Sequence, residues 1–141
     1  RPLRVSEREN TAQMRILRSF ETGHTNVGRI ERMAAAVGVT AEPVRMDSQA
    51  KYALLASGHA ELLLRLLTSK QPDYRERIWD QAAGALVTEE AGGRITDLDG
   101  KRLDFSAGRM LVNNRGVCAS NGRVHDAVLD TLRVVCENGE R

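Results

Sequence analysis

Cysteine is scarce in this chain. Cys118 and Cys136 are the only two among 141 residues, and neither has a second thiol at the spacing of a metal site. That reads as a small buried hydrophobe at Cys118, a free thiol near the tail at Cys136, and a reducing compartment. Long apolar runs are missing too. The longest, "ELLLRLL", is interrupted by Arg65 and falls far short of the roughly 20 residues of a membrane-spanning helix. The opening "RPLRVSEREN" has no apolar block behind its basic residues, so it does not read as a secretory signal. Together these absences predict an intracellular protein, cytoplasmic or organellar, with no membrane partner. The formal net charge is only +2 and the basic residues are scattered, which excludes the basic stripe of a dedicated nucleic-acid face. Repeats, low-complexity segments and an internal linker are also absent. The first residue is Arg rather than Met, which predicts a processed product or a fragment.

What remains reads as a single domain over residues 1–141. That length is enough for a core, and 41% hydrophobic with 28% charged residues suits a soluble globular protein. Leu3 to Val5 reads as a short extended piece, with Ser6 as a possible cap for a brief polar helical segment. "MRILRSFE" reads as a strand with Ile16, Leu17 and Phe20 as candidate buried residues. "TNVGRIERMAAAVG" is a helix capped by Thr25 or Asn26 and stopped at Gly38. A short strand follows Pro43, and then a helix from Asp47 or Ser48 to Gly58. "AELLLRLLT" is a strand with Leu63, Arg65 and Leu67 on one face and Leu62, Leu64 and Leu66 on the other. "IWDQAAGALVTEEAGG" is a helix with Ala82, Leu86 and Val87 on one face. "RITDLDGKRLDF" looks like a hairpin turning at Asp99-Gly100, and "RGVCAS" is a short buried strand. The closing helix carries an apolar stripe of Val124, Ala127, Val128, Leu132 and Val135. Alternating strands and helices predict an α/β fold: one mixed sheet flanked by helices on both sides.

Four polar placements carry possible chemistry. Ser48 stands at a predicted helix start with Lys51 three residues on, on the same face. That is either an ordinary cap with a solvated lysine, or a phosphate cradle of hydroxyl, ammonium and backbone N–H groups. Arg65 interrupts a leucine run, so it needs an anionic partner or a path to water. A phosphate clamp, a structural ion pair and a snorkelling edge residue all satisfy it. Asp80 follows the only tryptophan, Trp79, at a helix start. It reads as a cap or as a ligand for a hard cation with its bound phosphate, since Gln81-Ala82-Ala83-Gly84 leaves little bulk nearby. His24, in a loop before a helix, is either solvated or placed to hydrogen-bond a ligand.

The run "WDQAAGALVTEEAGG" with "ITDLDGKRLDF" resembles the C-terminal signature of the inositol monophosphatase superfamily. "FETGH", "VRMDSQAKYALLASGHAELLLRL", "YRERIWD" and "LDFSAGR" resemble its 3'(2'),5'-bisphosphate nucleotidase branch, and the similarity extends from about Val5 to about Leu132. The resemblance implies the C-terminal half of a sugar-phosphatase-like fold and magnesium-dependent removal of the 3'-phosphate from 3'-phosphoadenosine 5'-phosphate. It implies that Asp80 is a catalytic magnesium ligand. It also implies that His24, Ser48, Lys51 and Arg65 hold the nucleotide and its 5'-phosphate. Lithium inhibition and a place in sulfur metabolism are family expectations. The upstream "Asp-Pro-Xaa-Asp-Gly-Thr"-like motif that supplies the family's other metal ligands does not occur in these 141 residues. The expectation is therefore a chain lacking its N-terminal catalytic half, that half being its natural partner, and inactive alone. Two alternatives stand beside it: an inositol phosphate phosphatase of the same superfamily, and a non-catalytic nucleotide-binding module.

Overall fold

A computed structural model describes residues 2–20 and 26–139. Five strands form one mixed sheet in the order β2-β1-β3-β5-β4. β1 (Ile16–Arg18) pairs in parallel with β2 (Val44–Arg45) on one side and with β3 (Leu62–Arg65) on the other. β5 (Val117–Ser120) runs antiparallel to both β3 and β4 (Arg94–Thr96). The helices are α1 (Val27–Ala36), α2 (Ala50–Ala56), α3 (Ile78–Glu90) and α4 (His125–Gly139).

The alternation in the leucine run builds both faces of the sheet. Leu62, Leu64 and Leu66 join Ile30 and Met33 of α1 and Val128, Leu129 and Leu132 of α4 in one core cluster. Leu63 joins Tyr52 and Leu55 of α2 and Ala85 of α3 in the other. The sheet is thus flanked on both sides, as the pattern predicts. Each of these leucines contributes roughly 1.5–3 kcal/mol by leaving water. At the end of the sheet where β3 begins, the fully buried Glu61 accepts from Arg15 N at 2.7 Å, Nε at 3.1 Å and Nη2 at 2.6 Å. The Arg15 side chain is only partly buried, so its loss would strand the Glu61 carboxylate out of water without its partner.

Several local expectations need correction. No helix starts at Ser6; its hydroxyl closes a turn on Arg8 N, and the first helical turn is a short 3-10 segment at Thr11–Gln13 capped by Asn10. Leu3 to Val5 joins no strand, although Val5 N donates to Ala91 O. Phe20 is exposed because β1 ends at Arg18, before the alternation reaches it. The expected hairpin is only a turn: Asp97 N and Gly100 N bond across Asp99-Gly100, but residues 101–105 form no strand and β4 pairs with β5 instead. α1 is capped by Asn26, whose side chain accepts from Arg29 N.

The largest correction concerns α3. Its buried residues are Gln81, Gly84, Ala85 and Thr88, while Leu86 is 62% and Trp79 58% exposed. The predicted apolar face of Ala82, Leu86 and Val87 is therefore the outer one. A stripe of polar and small residues faces inward, where α2 lies against it: a Cβ on Gly84 would stand 2.2 Å from the Tyr52 ring. In α4 likewise, Leu129 is buried where Ala127 was expected. Among the described residues no helix is long and apolar enough to cross a membrane.

Candidate active site

The chain leaves β1 toward β2 on one side, then returns across β1 to β3 on the other. Such a reversal opens a crevice at the carboxyl ends of the strands, the usual ligand site of open α/β sheets. A cleft of about 540 Å³ lies at that position. Ser19 follows β1, Asp47, Ser48 and Lys51 follow β2, and Arg65 ends β3, all lining it. Asp80 and Gln81 close it from the first turn of α3.

Four of the five residues singled out in the sequence thus meet in one cleft: Ser48, Lys51, Arg65 and Asp80. His24 lies outside the described residues.

Their local geometry departs from the simple readings. Ser48 does not cap α2: Gln49 holds that position, and α2 has only seven residues. Ser48 instead takes a left-handed backbone with φ 68°, a conformation costing a non-glycine residue roughly 1–2 kcal/mol. Its Oγ accepts from Ala50 N at 3.3 Å. Lys51 Nζ donates to Ser19 Oγ at 2.7 Å. Burial lowers the Lys51 pKa, the positive Arg65 lowers it further, and Asp47 opposes both.

Arg65 has found the anionic partner that its place in a leucine run requires. Its Nε and Nη2 both lie 3.1 Å from Glu76 Oε1. The same oxygen accepts from Gln81 Nε2 at 2.6 Å, and Gln81 Oε1 accepts from the Tyr52 hydroxyl. Burial pushes the Tyr52 pKa upward, so the phenol stays protonated as a donor. This network was missed in the sequence. Its one signal was Arg65 itself; nothing in the spacing of "SKQPDYRE" selects Glu76.

Asp80 is not a cap either, since Arg77 holds that position without a side-chain bond. The Asp80 backbone carbonyl accepts from Gln49 Nε2 at 2.7 Å. Its carboxylate accepts no hydrogen bond among the described residues, so lone pairs remain available in the cleft. The first turn of a helix favours negative charge there. A carboxylate oxygen is the donor that magnesium takes, so Asp80 fits as one ligand. It does not make a complete site: among the described residues no group of three or more His, Cys, Asp or Glu could hold a metal ion.

Comparison with known proteins agrees with this architecture. The chain is 42% identical over 127 residues to a 3'(2'),5'-bisphosphate nucleotidase of Schizosaccharomyces pombe, covering 90% of this chain and 35% of that protein. It is 39% identical over 132 residues to one of Dictyostelium discoideum, covering 94% of this chain and 39% of the relative. The chain therefore spans little more than a third of these curated relatives. Among solved structures, the Thermotoga maritima IMPase superposes with a TM-score of 0.71 at 25% identity, over 96% of this chain and 46% of its own. The inositol monophosphatase from Anabaena gives 0.69 at 22% over 95% of this chain and 48% of its own, which shows the fold. The model of the inositol monophosphatase family matches residues 1–135, and to that family the chain belongs.

Proposed function

We propose that this chain is the C-terminal, nucleotide-holding part of a magnesium-dependent phosphatase. The complete enzyme removes the 3'-phosphate of 3'-phosphoadenosine 5'-phosphate, leaving AMP and phosphate. The observation that carries this reading is the convergence of Ser48, Lys51, Arg65 and Asp80 on one cleft at the switch point of the sheet. The bisphosphate nucleotidases among the relatives support the choice of substrate.

In this reading Lys51 and the unused N–H groups of Arg65 hold the 5'-phosphate, with Ser48 and His24 completing the nucleotide site. Their role is positioning: they place the scissile phosphate relative to Asp80. Asp80 holds one magnesium ion. When bound, magnesium supplies a water acidic enough to attack at neutral pH and offsets charge on the leaving oxygen. The remaining metal ligands and the group orienting the water belong to an N-terminal half, and residues 1–141 form one domain beside it. The exposed Trp79 and Leu86 on the outer face of α3 suit that half as a neighbour.

The test is magnesium-dependent phosphate release from 3'-phosphoadenosine 5'-phosphate, with inositol 1-phosphate alongside. It is run on this chain and on the longer protein that contains it. The longer protein should prefer the nucleotide, and Asp80→Asn within it should lose at least about 100-fold in kcat. The chain alone should be silent. Equal turnover by Asp80→Asn removes Asp80 from the metal site, and preference for inositol 1-phosphate reassigns the substrate.

A further inference from the structure

We propose that Glu76 is the positioning residue of this cleft, acting through Arg65 on the phosphate side and through Gln81 on the Asp80 side. The proposal rests on the phosphate-binding reading of Arg65 given above. An arginine at the end of a strand has a long side chain, and holding it in one place costs rotamer freedom. Glu76 meets that cost in advance. It is 5% exposed, and one of its oxygens takes the Nε and Nη2 edge of the guanidinium. The plane of the fork is then set before any ligand arrives. Nη1 meets no partner among the described residues, which leaves its two N–H groups for an anion.

Glu76 is itself held at its side chain and at its backbone. Gln81 Nε2 donates to the same carboxylate oxygen at 2.6 Å. Tyr52, from α2, fixes Gln81 through the amide oxygen. Leu111 N donates to the Glu76 backbone carbonyl at 2.8 Å, pinning the segment to the loop before β5. Gln81 directly follows Asp80 on α3. A single buried carboxylate thus ties the guanidinium of β3 to the helix turn that carries Asp80. It sets the spacing between the two sides of the cleft, a spacing that a substrate with two phosphates must match. A hydrophobic residue at position 76 would pack but would leave Arg65 without its buried partner.

The test is a double-mutant cycle read by calorimetric titration of the longer protein that contains this chain with adenosine 5'-monophosphate, and with adenosine as the phosphate-free control. Glu76→Gln, isosteric and uncharged, should weaken adenosine 5'-monophosphate about tenfold and adenosine less than about twofold. In an Arg65→Met background it should cause no further loss, because Glu76 acts through the guanidinium. Glu76→Asp, which keeps the charge but shortens the reach, should lose affinity about threefold and serves if the glutamine variant does not fold. An equal loss in both backgrounds makes Glu76 merely structural, and no loss in the parent protein makes it a spectator; either overturns the proposal. If adenosine 5'-monophosphate binds but Arg65→Met leaves it unchanged, the phosphate role of Arg65 fails and Glu76 falls with it. If neither compound binds the parent protein, the nucleotide reading of the cleft fails first.

Discussion

Ser48 shows how much one residue conceals in a sequence. Its place before a helix reads as a cap, yet its backbone is left-handed at φ 68° and Gln49 takes the cap position. Strain of this kind is retained where a side chain is needed in that place. Ser48→Gly relieves it and should raise the unfolding free energy in urea by up to about 1 kcal/mol. The same change should weaken adenosine 5'-monophosphate a few-fold in the titration described above. A loss of stability instead would mean that the hydroxyl bond to Ala50 N outweighs the strain. Arg65 teaches a complementary lesson. A guanidinium in a leucine run announced the need for an anion, but Glu76 stands eleven residues on in a loop without periodicity. The need was legible and the partner was not.

At the scale of elements, hydrophobic pattern located the five strands and the four α-helices to within a few residues. It failed where a partner element decides which face is inside. In α3 the larger apolar side chains, Leu86 and Trp79, point outward. The inner face is built from Gln81, Gly84, Ala85 and Thr88. Gly84 is small because the Tyr52 ring lies against it, with Cδ2 2.2 Å from where a Cβ would be. In an isolated helix Gly84→Ala would gain about 1 kcal/mol from propensity. Here the clash should outweigh that gain and leave a net loss of about 2 kcal/mol, since overpacking of a tight core costs roughly 1–3 kcal/mol or more. Equilibrium unfolding checks the sign. A stabilised Gly84→Ala protein would mean that α2 and α3 can separate freely. The Asp99-Gly100 turn makes the same point. Its local chemistry was right, and the strand expected after it was wrong, because β5 offers β4 a better partner.

The molecule as a whole carries a pH dependence set far from the cleft. His125 is fully buried at the start of α4. Thr96 Oγ1 donates to Asp97 O, so it accepts from Nε2–H at 2.8 Å. Nδ1 then accepts from the Ser120 hydroxyl at 2.7 Å. Both ring nitrogens are satisfied in the neutral form. Burial, and after it the positive Arg94, bring the His125 pKa down to about 4 against the opposing Asp126. In the unfolded chain it returns to 6.5, so below that value the unfolded state binds the extra proton. The stabilisation is complete above the unfolded pKa and is lost as pH falls toward the folded one. Between about pH 7 and about pH 5 the loss should be about 2 kcal/mol, read from urea midpoints. A folded His125→Gln variant should show a flatter profile, and an unchanged profile would remove His125 as its source.

Along the chain, pattern and spacing were sufficient for the α/β class and the two faces of β3, and short motifs for the family likeness, which picked out four residues that line the cleft. Those features depend on periodicity or on short motifs, which neighbours in sequence carry. Folding was needed to show that α3 turns its larger apolar side chains outward and that Glu76 sits behind Arg65. It also showed that Ser48 bends through a left-handed backbone instead of capping a helix. Each of those depends on which distant segment arrives at a surface, and packing and charge pairing between segments far apart in sequence choose that.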